Sequence, residues 1–347
     1  MNTLSRQLIR PLPVLGLRIP VLALLGLLLL FALLVVISIG AVSVPLSALF
    51  SAQLSDQQLA VISAIRLPRV LLSAIVGAAL AVSGAAMQSL FRNPLADPGV
   101  IGIASGAALA VALVIVLAGP LSGVFALYSL SFAAFVGGLM TCLLIFLFTG
   151  INGSFSASYM LLAGIAINTL SGAATGLLSY LSDDQQLRAL TFWTMGSFGG
   201  ALWPGVIVAA TIVLPALFLL IRNARALNIL LLGNEEARQL GVDSKRLQRR
   251  VIICTALCVG AAVAVSGIIG FVGLVVPHLI RLTLGPDNRL LLPASALLGA
   301  LLVVLADTVA RTLVSPAELP VGILTSLIGG PFFLWLLVKQ YGGRMGL

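Results

Sequence analysis

Residues 251–284 read VIICTALCVGAAVAVSGIIGFVGLVVPHLIRLTL. This apolar run of 34 residues is too long for one membrane crossing, which takes about 20 helical residues. Gly267, Gly270, Gly273 and Pro277 interrupt it. The run therefore predicts two short membrane helices with a break between them. Its division sets the number of spans and the side of the membrane on which every later segment lies.

The rest of the chain is equally apolar, with 60% hydrophobic and 8% charged residues and a mean hydropathy of +1.19. So few polar side chains cannot cover a water-soluble surface. We therefore predict an all-α polytopic membrane protein of ten transmembrane helices, forming a single domain over residues 1–347. Outside the opening stretch, the predicted spans are 21–39, 70–90, 100–118, 130–148, 159–181, 202–221, 290–306 and 319–338.

The basic residues test this topology. The net charge of +9 is spread over short segments between apolar runs, which argues against a nucleic-acid-binding patch. With ten spans and a cytoplasmic N-terminus, fifteen of the 19 Lys and Arg residues fall inside, as the positive-inside rule requires. One span fewer would move Arg281 and Arg289 outside. We expect both termini in the cytoplasm, and we expect span 21–39 to be retained, since it exceeds a signal-peptide core.

An internal repeat accompanies the break. GAALAVSG at Gly77–Gly84 and GAAVAVSG at Gly260–Gly267 match at seven of eight positions, and each precedes a Gly/Pro-broken region. In the predicted topology the two copies cross the membrane in opposite directions, which is typical of transporters with inverted repeats. Repeat-like halves are predicted at approximately 60–200 and 245–340. The alternative is helix packing through small residues alone.

A polar island, GNEEARQLGVDSKRLQRR at residues 233–250, precedes the opening stretch. Asn234 is suited to cap a helix over Glu235–Leu240, and Gly241 is suited to end it. This island is either a basic inner loop near anionic lipid or a docking element for a cytoplasmic partner, with Ala237 and Leu240 as a small apolar face. No P-loop is present, so we expect no ATP site in this chain.

Several reactive side chains invite a chemical role. Cys142, Cys254 and Cys258 lie in apolar runs and are better interpreted as core residues than as metal or disulfide partners. For His278, which lies in a Pro-His-Leu-Ile-Arg stretch, packing or hydrogen bonding in a broken helix is favoured over a role as a ligand. For Asp307, an ion pair with Arg311 four residues later is favoured over a proton relay. We expect no catalytic residue and no metal site.

The sequence resembles the permease subunits of ATP-binding-cassette (ABC) importers for iron-siderophores, haem and vitamin B12 over nearly all the chain after residue 60. The resemblance implies a homodimer in the bacterial inner membrane, two ATPase subunits that bind ATP and Mg²⁺, and a periplasmic binding protein. It rests on IRLPR (65–69), LFRNPLADPG (90–99), GNEEARQLG (233–241), GIIGFVGLVVPHLIR (267–281), ADTVAR (306–311) and AELPVGILT (317–325).

The resemblance also assigns roles residue by residue. It implies that Arg66, Arg69 and Arg311 meet glutamates on the binding protein. It implies a cytoplasmic gate at Asn93, Leu95 and Ser158, although Ala157 stands where the vitamin B12 permease has a hydroxyl residue. The coupling helix, which sits in a cleft of the ATPase, is implied to consist of Glu235, Glu236, Ala237, Arg238, Gln239, Leu240 and Gly241.

The cargo is the least specified feature. Residues Leu187–Trp203 look closest to haem permeases, and Phe192, Trp193 and Trp203 either contact a planar ring or anchor the membrane interface. We therefore expect an importer of an iron chelate, with haem favoured over a ferric siderophore and vitamin B12 third. The alternative class is an ion-coupled secondary transporter that uses Asp307.

Overall fold

The computed structural model describes residues 18–40, 42, 44–45, 54–118, 124–150 and 157–342. Within these ranges the chain is helical and contains no β-strand, which confirms the predicted all-α fold. The helices are α1 Arg18–Ser38, α2 Asp56–Phe91, α3 Ile103–Leu117, α4 Val124–Gly150, α5 Ala157–Leu181, α6 Asp184–Met195, α7 Trp203–Arg222, α8 Ala224–Leu230, α9 Asn234–Gln239, α10 Ser244–Ser266, α11 Val272–Leu284, α12 Asn288–Thr312 and α13 Val321–Gly342.

Ten of these helices lie where spans are predicted. Seven are long and apolar enough to cross a membrane, namely α1, α2, α4, α5, α7, α10 and α12, and the described parts of α3, α11 and α13 form shorter apolar helices. Every predicted apolar run is therefore helical. That all ten cross the membrane stays a prediction.

The opening stretch divides as expected, but unequally. α10 ends at Ser266 and α11 begins at Val272. The prediction of two short helices is wrong for α10, which has 23 residues because it begins at Ser244 in the polar island. Gly267 turns the chain with φ +67°, and a Cβ built on it would lie 2.2 Å from the Trp193 carbonyl oxygen. Only glycine fits this turn.

α2 is longer than its predicted span, which began at residue 70. It starts after Ser55, whose hydroxyl accepts from the Gln58 amide while the Gln58 side chain accepts from the Ser55 amide. This polar first turn carries no hydropathy signal. A π-helical turn at Ile62–Arg66 follows, just before Pro68, which has no N–H to donate to the preceding turn.

α2 and α12 form an antiparallel pair at the centre of the bundle. Arg69 meets Asp307 at one end, and Ser89 meets Asn288 at the other. Midway, a Cβ built on Gly77 would lie 2.3 Å from the Gly299 carbonyl oxygen. Small residues let two membrane helices approach this closely. The first repeat copy therefore has a role in helix packing, which is the alternative given above for the repeat.

The segment that follows α2 and the segment that follows α10 meet beside α2. A Cβ built on Gly84 would lie 1.8 Å from the carbonyl oxygen of Gly273, and one built on Gly273 would lie 3.2 Å from the Pro98 ring. Each repeat-bearing helix is thus followed by a break and then a short helix, of 15 residues in α3 and 13 in α11. The inverted orientation of the two halves stays a prediction.

Candidate functional site

The coupling segment, residues Gly233–Gly241, forms a short turn of helix on the surface. α9 spans Asn234–Gln239, one residue away from the predicted Glu235–Leu240 at each end. The expectation that Asn234 caps this helix is wrong, because the N-cap is Gly233 and Asn234 is the first helical residue. The end is as expected, since Gly241 adopts φ +80°, a conformation that glycine adopts without strain.

The predicted apolar face of this segment is divided between the core and the surface. Ala237 is fully buried in the chain's own core, whereas Leu240 is 60% exposed. The Ala237 carbonyl accepts the Val242 amide over 2.8 Å, which fixes the turn after the helix. Leu240 is therefore the apolar side chain that this segment offers to a partner.

A groove of about 720 Å³ lies between the coupling segment and the start of α10. Its walls carry both signs of charge, from Glu235 and Arg238 on one side and Lys245 on the other. Asp243 caps α10 by accepting the Arg246 amide over 3.0 Å. That hydrogen bond, together with the nearby Arg246 and Lys245 charges, holds the pKa of Asp243 below its ordinary value.

The gate loop, residues 92–102, follows α2. Arg92 ends the helix in the left-handed conformation, with φ 51°. The Asn93 side-chain oxygen accepts the Leu95 amide over 2.9 Å, so these two predicted gate residues share one turn. Asp97 then accepts the Gly99 amide over 2.6 Å and begins a 3₁₀ turn at Pro98–Ile101.

A cavity of about 430 Å³ connects this loop to the break between α10 and α11. Leu95 and Asp97 line it, together with Ile268 and with Asn168 of α5. Asn168 accepts a hydrogen bond from Ser105; sequence reasoning missed it, although an amide within an apolar run was a visible signal. Ser158, the third predicted gate residue, lies in the first turn of α5, and its side chain lies outside the described residues.

The three predicted docking arginines lie together at the opposite end of the bundle, but they are engaged within the chain. Arg69 donates to both oxygens of Asp307, at 2.8 to 3.2 Å, and to Glu318 at 2.9 Å. The predicted Asp307–Arg311 pair is wrong, because Arg69 of the neighbouring helix holds this carboxylate instead. A partner 238 residues away cannot be found from helical spacing.

Arg66 and Arg311 hold the end of α1. Their guanidinium groups donate to backbone carbonyls in the final turn of α1 and just after it, where the carbonyls lack a full set of helical partners. The three bonds to Val36, Ile37 and Ile39 measure 2.7 or 2.8 Å, and Val42 accepts a further one from Arg66. Arg66 is buried and Arg311 is half-buried.

The two remaining features singled out in the sequence are His278 and the aromatic stretch 187–203. His278 is buried on α11, where its ring meets Phe332 edge-on at 6.0 Å between centroids. Neither ring nitrogen has a hydrogen-bond partner within the described part of the chain. The aromatic stretch 187–203 begins within the capped helix α6, where Phe192 is exposed. Farther along, the Trp203 indole donates to the Ser63 carbonyl over 2.8 Å.

Comparison with known proteins places this geometry in context. The sequence profile of the FecCD transport family matches residues 28–339. The chain is 53% identical to the hemin transport system permease protein HmuU of Yersinia pestis, over 89% of this chain and 92% of that protein. It is 44% identical to the vitamin B12 import system permease protein BtuC of Vibrio cholerae, over 80% of this chain and 82% of that one.

A solved structure agrees with the fold. It is an inward-facing conformation of an ABC transporter assigned to the metal-chelate type, and it superimposes with a TM-score of 0.83. The two proteins are 38% identical, and the match covers 92% of this chain and 99% of the other.

Proposed function

Since this chain belongs to the FecCD transport family, we propose that it is the permease of an ABC importer that moves haem from the periplasm to the cytoplasm. A permease of this kind is an integral protein of the inner membrane and performs no chemistry on its cargo. ATP and Mg²⁺ are bound, and ATP is hydrolysed, by separate ATPase subunits. The observation that carries the choice of cargo is the 53% identity with a hemin permease over almost the full length of both chains.

The partners follow from the same family. The permease forms a homodimer, and two ATPase subunits dock on its cytoplasmic face while a periplasmic binding protein docks outside. The basic segments between the apolar helices support this orientation, with both termini in the cytoplasm. The relatives that import vitamin B12 keep cobalamin as the second candidate cargo.

The coupling segment, Gly233–Gly241, is the site for the ATPase. Its charged residues face a groove, and exposed Leu240 offers an apolar contact. Charged residues at a rim steer a partner and set register, while a buried apolar anchor supplies affinity. The gate is formed by Asn93 and Leu95 with Ser158, and the arginine cluster at the other end receives the binding protein.

The test is reconstitution of the permease with its ATPase and binding protein in vesicles. Uptake of haem, a ferric siderophore and cobalamin is measured separately, with and without ATP. We expect ATP-dependent uptake of haem alone. Uptake of a siderophore or cobalamin without haem would overturn the cargo. Uptake by the permease alone, driven by an ion gradient, would overturn the importer class and favour a carrier that uses Asp307.

A further inference from the structure

A chain of side-chain hydrogen bonds crosses the cytoplasmic end of the bundle, and it includes none of the predicted site residues. Ser89 on α2 donates to the Asn288 side-chain oxygen over 2.7 Å. Asn288 Nδ2 donates to Asn228 Oδ1 over 2.9 Å, and Asn228 Nδ2 donates to Asp287 Oδ1 over 2.7 Å. The chain therefore links α2, the start of α12 and α8.

This row of hydrogen bonds permits only one arrangement of the three helices. Asn228 Oδ1 also accepts the backbone amide of Asn288 over 2.9 Å, so two bonds join these residues. Asn288 has no exposed surface, and Ser89 is buried as well. A buried amide that loses its partner cannot turn to water instead. When α8 moves, it therefore either carries α12 and α2 with it or breaks several hydrogen bonds together.

α8 is tightly joined to the coupling segment. Three residues, 231–233, separate α8 from α9, and they are held by turn hydrogen bonds. The Leu231 amide donates to Leu227 over 3.2 Å, and the Ala237 amide donates to Gly233 over 3.1 Å. Leu227 and Leu230 are fully buried beneath this turn. A force applied to the coupling segment therefore reaches α8 without passing through a flexible linker.

The other end of the hydrogen-bonded chain adjoins the gate loop. Ser89 lies three residues before Arg92, where α2 ends in a left-handed residue. The Asn93 amide donates to the Gln88 carbonyl over 3.1 Å, which ties the first gate residue to the same turn. A second and more exposed connection runs from the Arg92 guanidinium to Asn234 of the coupling segment over 3.3 Å.

We propose that Asn228 and Asn288 are positioning residues that transmit movement of the coupling segment to the end of α2 and the gate loop. This inference rests on the proposed function, because it requires the ATPase to dock on the coupling segment. The buried hydrogen bonds carry the displacement within one subunit. When these bonds are lost, the ATPase stays docked, but the gate loop no longer changes with the nucleotide state of the ATPase.

Two serines on α2 provide a matched test. Ser73 and Ser89 are both buried, and each hydroxyl lies within hydrogen-bond distance of a carbonyl of its own helix, but only the Ser89 hydroxyl also reaches Asn288, to which it donates. Ser89→Ala, Asn288→Ala and the control Ser73→Ala are reconstituted with the ATPase and binding protein. Uptake per ATP hydrolysed and hydrogen–deuterium exchange of residues 92–102, with and without nucleotide, are measured together.

We expect Ser89→Ala and Asn288→Ala to lower uptake per ATP about fivefold and to remove the nucleotide-dependent change in exchange of the gate loop. The amount of copurified ATPase should stay constant, and Ser73→Ala should behave like the unmodified chain. A gate loop that still responds normally to nucleotide in both variants would overturn the proposal. Failure of the unmodified complex to import haem would instead overturn the proposed function.

A double variant separates positioning from stability. Combining Ser89→Ala with Asn288→Leu removes both side chains of one buried hydrogen bond, which is far less destabilising than removing one of them. Asn228 keeps its bonds to the Asn288 backbone amide and to Asp287 in this variant. If the melting temperature recovers while uptake per ATP stays low, the asparagines act by positioning. If uptake recovers together with the melting temperature, their role is only structural and the proposal is wrong. Ser89→Ala keeps the test decisive should Asn288→Ala fail to fold.

Discussion

The two ends of the bundle use charged side chains in opposite ways. At the end predicted to face the periplasm, Arg69 and Asp307 are buried and paired, and Arg66 and Arg311 hold the carbonyls of α1. At the end predicted to face the cytoplasm, the charged residues of the coupling segment are exposed along a groove. Charge at the first end therefore serves mainly the fold, with half-buried Arg311 still partly open to a partner, whereas charge at the second end is available to a partner.

The largest expected effect comes from breaking the buried pair. Asp307→Asn leaves Arg69 partly unpaired in a site where the carboxylate is only 1% exposed, and we expect a loss of about 3 kcal/mol of stability. Thermal unfolding of the purified permease checks this. Glu318→Gln is the matched control, since this 43% exposed partner of the same arginine should contribute under about 1 kcal/mol. Equal losses in the two variants would contradict the contrast.

The next effect is expected at the opposite end. Leu240→Asp removes the exposed apolar contact of the coupling segment, so ATPase binding should weaken about tenfold or more. The unfolding temperature of the permease should stay unchanged, because this side chain is 60% exposed in the chain alone. Copurification and titration of the ATPase measure the loss, with Leu240→Met as control. Unchanged binding would show that the docking surface lies elsewhere.

A smaller effect, on both folding and docking, is expected from Arg311→Glu. It removes the two hydrogen bonds to Val36 and Ile39, at a cost of about 1 kcal/mol in stability. It should also weaken docking of the binding protein, and more at low salt, because the half-buried Arg311 charge acts through a field that salt screens beyond ~10 Å at 0.1 M. Binding measured at two salt concentrations separates the two contributions. A loss of docking that is the same at both salt concentrations would assign Arg311 to the fold alone.

The smallest effect is a pH dependence at the start of α10. Because the pKa of Asp243 is lowered from 3.8, its contribution to stability is complete above that value and is lost as pH falls through the lower folded pKa. Asp243→Asn should remove this dependence while retaining most of the cap. Hydrogen exchange of the first turn of α10 between pH 5 and 3 measures it, and identical profiles for both proteins would contradict it.

The helical framework was predictable because hydropathy is a local property. Every predicted apolar run is helical, and the break before α11 follows from Gly267, which turns the chain at a positive φ. The same method missed the polar first turn of α2, which Ser55 and Gln58 define by capping, and the amphipathic helix α6.

The candidate sites were predictable only in part. Motifs predicted the coupling segment to within one residue at each end, and they indicated three arginines that lie together. The partners of those arginines could not be predicted, because Arg69 and Asp307 are brought together by packing of α2 against α12. The asparagine chain was missed for the same reason. Asn228 and Asn288 are 60 residues apart and show no motif.

The clamp on α1 has a consequence for how the protein is made. α1 packs mainly on α12, and the Arg311 that holds its end follows Ile39 by 272 residues. At a synthesis rate of about 5 to 20 residues per second, the first helix waits roughly 15 to 50 s for this partner. It is the most apolar of the seven long helices and the least buried among them, which suits a segment that must stand alone in lipid. During biogenesis, a helix that is synthesised early is thus joined to one that is synthesised much later, through the hydrogen bonds of Arg311.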